Sequence, residues 1–228
     1  YWHAVRVTVT FALVAVPLKL AAALGVALLL NKAFKGIAVF RGLFYLPSLL
    51  GGSVAVAIVW RSMFNREGAF NSFLGLFGIE GAPWVNDPQW ALETLMLLAI
   101  WQFGAPMVIF LAAVLGVPAS LYEAAELDGA NAWQKFRYIQ TPCIRLMRDF
   151  VIFDSVRGTL QMFEIPFVIT SGGPGHASST YTLYTIETAF SFDNFGMAAA
   201  MSTLIMAAVA GIFYLQGFLQ KKFGRGEV

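Results

Sequence analysis

Five residues of this 228-residue chain place charge or hydrogen-bonding capacity in largely apolar surroundings: Lys19, Asp154, Arg157, Gln161 and Glu164. An ionisable side chain at bilayer depth costs roughly 2.5–3.5 kcal/mol on insertion scales, so one that is kept serves an ion pair, a proton relay or a polar pathway. Asp154 and Arg157 lie three apart and can neutralise one another on a helix face, and Lys19 can join them from a different span. A structural ion pair and a cavity lining both fit this pattern. Two other chemistries use the same residues: a secondary transporter in which Asp154 or Lys19 titrates, and an intramembrane enzyme built on Asp154, Glu164 and His176. The enzyme reading lacks a His-Glu-x-x-His pair and a Gly-x-Ser-x-Gly elbow. Cys143 is the single cysteine, and His3 and His176 stand without metal-ligand neighbours, so no metal site is expected.

A second constellation is polar and compact. Ser120 with Glu123 reads as a capping box, Pro118 fixes the entry of the chain, and Gly129 after Asp128 supplies a stop, so a short helix is expected from near Leu121. A second box, Asn131 with Gln134, opens another helix carrying Trp133, Phe136 and Ile139, which Pro142 should check. Leu121, Ala124, Ala125 and Asp128 share one face of the first helix, while Glu123, Glu126 and Asp128 make it acidic. The anionic cytoplasmic leaflet would repel such a helix, which favours a protein partner over a lipid surface.

These groups must be held by a membrane fold. The chain is 58% hydrophobic and 12% charged, against about 25% charged in soluble domains. Five spans of roughly bilayer length are expected at residues 8–30, 42–60, 94–117, 150–170 and 196–220, in a single domain covering residues 1–228, with a polar loop at 118–148. The fourth span is interrupted by Asp154, Arg157 and Glu164. Lys32, Lys35 and Arg41, then Lys135, Arg137, Arg145 and Arg148, then Lys221, Lys222 and Arg225 collect in three segments assigned to the cytoplasm. The N-terminus is then outside and the C-terminus inside. The chain starts with neither Met nor a basic segment, which predicts one further upstream helix and six spans in all. No basic patch interleaved with aromatics is present for nucleic acid. Gly172-Gly173-Pro174-Gly175 marks a tight external turn. Trp2, Trp60, Trp84, Trp90 and Trp101 are expected as an interfacial aromatic belt.

Glu123-Ala124-Ala125, Asp128-Gly129-Ala130, Phe136, Ile139 and Pro142 resemble the EAA loop in membrane-spanning subunits of bacterial ATP-binding-cassette (ABC) importers. Asn31, Lys32, Gly36, Leu46-Pro47, Trp60, Trp84, Asp87-Pro88, Trp101 and the run from Ile169 to Gly175 extend the likeness to nearly the whole chain. They resemble the carbohydrate-uptake branch, of oligosaccharide and glycerol-3-phosphate type. The resemblance implies an all-α permease bundle of the type I importer kind in a bacterial or archaeal cytoplasmic membrane. It implies a cytoplasmic ABC ATPase dimer gripping Glu123, Ala124, Ala125, Asp128, Gly129 and Ala130. A second permease subunit, an extracytoplasmic solute-binding protein and a carbohydrate-like solute complete what it implies. ATP and Mg would bind the partner ATPase, since this chain carries no Walker-type loop. Two positions depart from the family pattern: Thr141 stands where Leu is common, and Leu146 where a second proline is.

Overall fold

A computed structural model describes residues 1–32 and 35–223; Arg225, counted above among the cytoplasmic bases, lies outside the described residues. The described residues form helices joined by turns: α1 (Trp2–Leu30), α2 (Ile37–Leu50), α3 (Val54–Met63), α4 (Ala69–Gly75), α5 (Ala91–Trp101), α6 (Gly104–Leu115), α7 (Ala119–Leu127), α8 (Ala132–Lys135), a π-helical turn (Phe136–Gln140), α9 (Thr141–Cys143), α10 (Arg145–Leu160), α11 (Glu164–Ile169), α12 (Tyr181–Phe190) and α13 (Phe195–Phe223).

Helix α1 is the axis of the bundle and touches α2, α5, α6, α10 and α12. Its buried positions alternate small and large side chains. Ala4, Ala15, Ala23 and Ala27 let neighbouring backbones approach, while Phe11 and Leu30 fill the space between. Three apolar clusters follow one another along it. Phe11 and Ala15 pack with Trp60, Leu95, Leu98 and Ile169; Ala23, Ala27 and Leu30 pack with Met107, Phe110, Leu111 and Val151; and Val114, Val117 and Ile144 form the third, against Leu24 and Leu28. Leu13, Leu18, Leu204, Met206 and Phe213 are bare, as suits side chains whose solvent is hydrocarbon.

Among the described residues, three helical stretches are long and apolar enough to cross a bilayer: Trp2–Leu30, Ala91–Leu115 and Phe195–Phe218. The stretch expected as one span at 42–60 is two helices, α2 and α3, bent by 97° and passing the same test only together. Gly51 and Gly52 sit at the bend, and Ser53 caps α3 by accepting the Ala55 N–H. The stretch expected at 150–170 is likewise two helices, α10 and α11, and neither is of membrane length. The polar composition of α10 and the break at 161–163 account for this, and Pro166 falls in the first turn of α11, where a missing N–H costs nothing.

Backbone groups freed at these breaks must find partners inside the protein. Ser48 Oγ donates to the Gln102 carbonyl at 3.1 Å and accepts the Ala105 N–H at 2.9 Å, so α2 serves the gap between α5 and α6. In return Gln102 Nε2 donates to the Gly51 carbonyl at 3.0 Å, serving the gap between α2 and α3. At the third break, the Thr182 and Thr180 hydroxyls donate to the carbonyls of Leu160 and Met162.

Four of the tryptophans differ from the expected interfacial belt. Trp60 is buried and stacks near Phe64 (4.7 Å) and Trp101 (5.6 Å); Phe64, Phe70, Trp84 and Trp90 continue the series. Trp84 Nε1 donates to Asn71 Oδ1 at 2.6 Å. The rings are the core of the 61–93 segment, because large apolar rings pack best on one another. Of the five expected there, Trp2 is the barest at 79% exposed, and Trp101, beside its ring contact with Trp60, is 36% exposed.

Candidate functional site

Two polar sites stand out, one in the loop between α6 and α10 and one inside the bundle. Helix α7 begins at Ala119, with Pro118 as its N-cap and no side-chain cap bond. The Ser120–Glu123 box is therefore not formed, because Ser120 already lies within the helix, two residues past the position a capping hydroxyl requires. The Glu123 carboxylate is exposed, and among the described residues nothing pairs with it. The other end of α7 is closed by a Schellman motif. The Gly129 N–H donates to the Glu126 carbonyl at 3.1 Å and the Ala130 N–H to the Ala125 carbonyl at 2.8 Å. Gly129 sits at φ +75°, in the left-handed region, and a Cβ added there would meet nothing within 4 Å.

The Asn131–Gln134 box is present in both directions, at 2.9 and 2.7 Å. Pro142 does not stop the helix it follows. A π-helical turn at Phe136–Gln140 carries the chain into α9 instead. Thr141, one of the two departures, reinforces that turn: its N–H and its hydroxyl both donate to the Phe136 carbonyl, the hydroxyl at 2.8 Å. Val117, Tyr122, Ile139 and Ile144 hold the loop against α1.

Together α7, α8 and the π turn enclose an open notch of about 440 Å³, lined by Leu121, Ala124, Ala125, Asp128, Gly129 and Ala130 on one side and by Gln134, Lys135, Tyr138 and Ile139 on the other. Beside it Leu127 is 90% exposed, an apolar side chain bare in a loop between spans. Lys135 Nζ reaches Glu126 Oε1 at 2.7 Å and ties the two walls. The hydrogen bond from Lys135, and then its charge, hold the Glu126 carboxyl below its ordinary 4.5. A carboxyl depressed in the folded state stabilises it above the ordinary pKa, and that contribution is lost as pH falls through the lowered value. Acidification below 4.5 is expected to lower amide-exchange protection at residues 131–135, measured relative to the intrinsic exchange rate at each pH, and Glu126→Gln to remove that loss of protection. The effect should be small, since the pair is largely in water.

The second site gathers residues far apart in the chain. Lys19 from α1, Gln102 between α5 and α6, and Asp154, Ser155, Arg157 and Thr159 from α10 line a cavity of about 290 Å³, walled by Phe11, Met162 and Ile165 among others. Arg157 Nη2 donates to Asp154 Oδ1 at 2.8 Å and Nη1 to Gln161 Oε1 at 3.4 Å. Lys19 lies within electrostatic reach of Asp154. Of the five candidates, Lys19, Asp154 and Arg157 share this cavity. Gln161 touches it only through Arg157, and Glu164 is exposed and does not line it. Gln102, Ser155 and Thr159 escaped the sequence reading; an amide at residue 102, inside an otherwise apolar stretch, was the available signal for the first.

The remaining charges near α10 form a clamp. Asp149 takes Arg148 at 2.9 and 3.0 Å and Arg145 at 3.9 Å, and receives Gln220 Nε2 at 3.3 Å, while its carbonyl accepts from Gln216 on α13. At the far end of the bundle the Gly172–Gly175 run is a turn, with Gly172 and Gly175 at positive φ. Ser178 Oγ donates into it, and the His3 ring lies 3.0 Å from the His176 carbonyl.

No protein-family model matches the chain. It is 42% identical to the probable ABC transporter permease protein YesP of Bacillus subtilis, across 94% of this chain and 70% of that protein. It is 33% identical to the lactose transport system permease protein LacF of Rhizobium radiobacter, across 97% and 76%. It is 32% identical to the arabinooligosaccharides transport system permease protein AraP of Halalkalibacterium halodurans, across 100% and 73%. In fold it matches a chain of the bacterial alginate ABC transporter crystallised with an alginate pentasaccharide-bound periplasmic protein: TM-score 0.88 and 19% identity, over 100% of this chain and 81% of that one. The bundle thus has the fold of a chain of a solved ABC transporter, and the chain belongs to the permease proteins of ABC sugar transporters.

Proposed function

We propose that this multi-pass membrane chain forms one half of the solute pathway in an ATP-driven, binding-protein-dependent carbohydrate importer, coupled to a cytoplasmic ABC ATPase dimer through α7. The observation that carries the coupling is the notch at residues 121–139. It is closed by a positive-φ Gly129 and flanked by a bare Leu127 and an unpaired Glu123. These are features of a docking surface rather than of a loop packed on its own bundle. ATP, bound with Mg, is hydrolysed in the partner, whose closure pulls on α7 and, through the Ile139–Ile144 packing, on α1. The cavity holding Lys19, Asp154 and Arg157 is the pathway's share in this chain, with a second permease completing it.

The basic segments face the cytoplasm in this reading, with the first residue of the chain outside and the C-terminus inside. The Gly172–Gly175 turn then faces the extracytoplasmic solute-binding protein. Purification of the full-length tagged protein from native membranes, with and without Glu123→Ala, tests the coupling. Recovery of an ATPase subunit is expected from the wild type, reduced about tenfold by the substitution, as loss of one central polar anchor implies. Equal recovery from both would refute the role given to Glu123 and α7.

A further inference from the structure

The bundle cavity is electrically unbalanced. Its lining holds two cations, Lys19 and Arg157, and one anion, Asp154. Asp154 Oδ1 is engaged by Arg157 at 2.8 Å, and Glu164, the nearest further carboxylate along the chain, is outside the lining. Among the described residues no acceptor lies within ion-pair distance of the Lys19 ammonium, which has only the longer-range field of Asp154. A cation kept at bilayer depth without a full partner is a functional group by default. Stability alone would be served as well by an apolar residue of similar volume.

We infer that the solute is an anionic saccharide carrying a carboxylate, that is, a hexuronate-containing sugar, with Lys19 as the residue that meets the carboxylate; this rests on the importer reading above. One carboxylate supplies the single negative charge the lining lacks. The ring hydroxyls have Ser155 and Thr159 to bond, and Phe11 and Met162 offer apolar walls to the ring's C–H face. The volume, about 290 Å³, lies at the small end of ligand pockets and suits one sugar ring at a time. A neutral sugar would leave the ammonium uncompensated, and a cationic solute would be repelled.

The test uses the whole transporter in proteoliposomes, with its second permease, ATPase and solute-binding protein. A pool of galacturonate, glucuronate and mannuronate disaccharides is offered together with the carboxyl-reduced neutral counterparts, and ATP-driven uptake is read by mass spectrometry. Wild type should favour the acidic members. Lys19→Gln should shrink the acidic-to-neutral ratio about tenfold, and Lys19→Arg should preserve it. Since every variant works with the same binding protein, a shift in the ratio belongs to this chain. A ratio unchanged by Lys19→Gln overturns the inference, as does ATP-driven uptake that favours neutral sugars; both leave the importer reading intact. If Lys19→Gln fails to assemble, Lys19→Arg decides: loss of acidic preference in that assembled, charge-conserving variant overturns the inference. Absence of ATP-driven uptake of any saccharide overturns the importer reading, and this inference with it.

Discussion

Gly129→Asp is expected to leave the protein inserted at normal abundance and to lower transport at least about a hundredfold, equivalent to about 2.7 kcal/mol. The residue closes α7 at φ +75° with both Schellman hydrogen bonds in place. An added Cβ meets nothing within 4 Å, so the substitution causes no collision in the bundle. What it changes is local. A non-glycine residue in the left-handed region costs about 1–3 kcal/mol, least for Asp and Asn, which visit it most readily. The new carboxylate also enters a notch already bordered by Glu126 and Asp128. Gly129→Asn separates the two effects, since it keeps the backbone tolerance and omits the charge, and it should retain more transport. Quantitative immunoblotting of membranes beside ATP-driven uptake by the assembled transporter provides the measurement, and normal uptake by Gly129→Asp would sink the coupling role of this turn.

The second large effect is on stability. Gly104 opens α6 where α2 crosses it, and a Cβ there would stand 2.5 Å from the Phe44 carbonyl oxygen, 2.8 Å from the Tyr45 Cα and 2.8 Å from Ser48 Oγ. Two of these are backbone atoms and cannot swing aside. Gly104→Val must therefore push α2 from α6 and pull Ser48 from the Ala105 N–H. Overpacking of this kind costs about 1–3 kcal/mol, and the lost hydrogen bond adds about 1 kcal/mol. A fall in melting temperature of about 5–15 °C for the detergent-purified protein is expected, at roughly 2–4 °C per kcal/mol for a chain of this size. Gly25→Ala serves as the contrast. Gly25 lies within α1 with open space around a new Cβ, so its melting temperature should hold or rise. Equal losses from the two substitutions would show that the close approach of α2 and α6 is not the cause.

Apolar run length made α1, the α5–α6 stretch and α13 legible, because some twenty uncharged residues have few other uses. It could not reveal that residues 42–60 turn through 97°. Gly51 and Gly52 permit a bend without dictating one, and the groups that stabilise it, Ser48 and Gln102, lie on different helices. Residues 150–170 divide for a related reason: α10 is polar where it lines the cavity, and the carbonyls at its break are satisfied by Thr180 and Thr182 at the start of α12. In the α7 loop, local rules succeeded where the chain acts alone, at Asn131–Gln134 and Gly129. They failed at Ser120, where the fixed geometry of Pro118 moved the helix start. The joining of Lys19 with Asp154 and Arg157 depended on α1 packing against α10, which no short-range pattern encodes.

The reciprocal bonds among Ser48, Gly51, Gln102 and Ala105 also constrain biogenesis. During synthesis the first bend emerges some fifty residues ahead of the amide that satisfies it. An unpaired carbonyl in hydrocarbon costs several kcal/mol. The bent pair α2 and α3 is therefore poorly suited to partition into lipid by itself. It must wait beside the translocation channel, or in a water-accessible pocket, until α5 and α6 arrive. The expected consequence is insertion in paired units, with truncated chains ending before residue 105 leaving α2 and α3 extractable from the membrane by alkali and longer ones holding them fast.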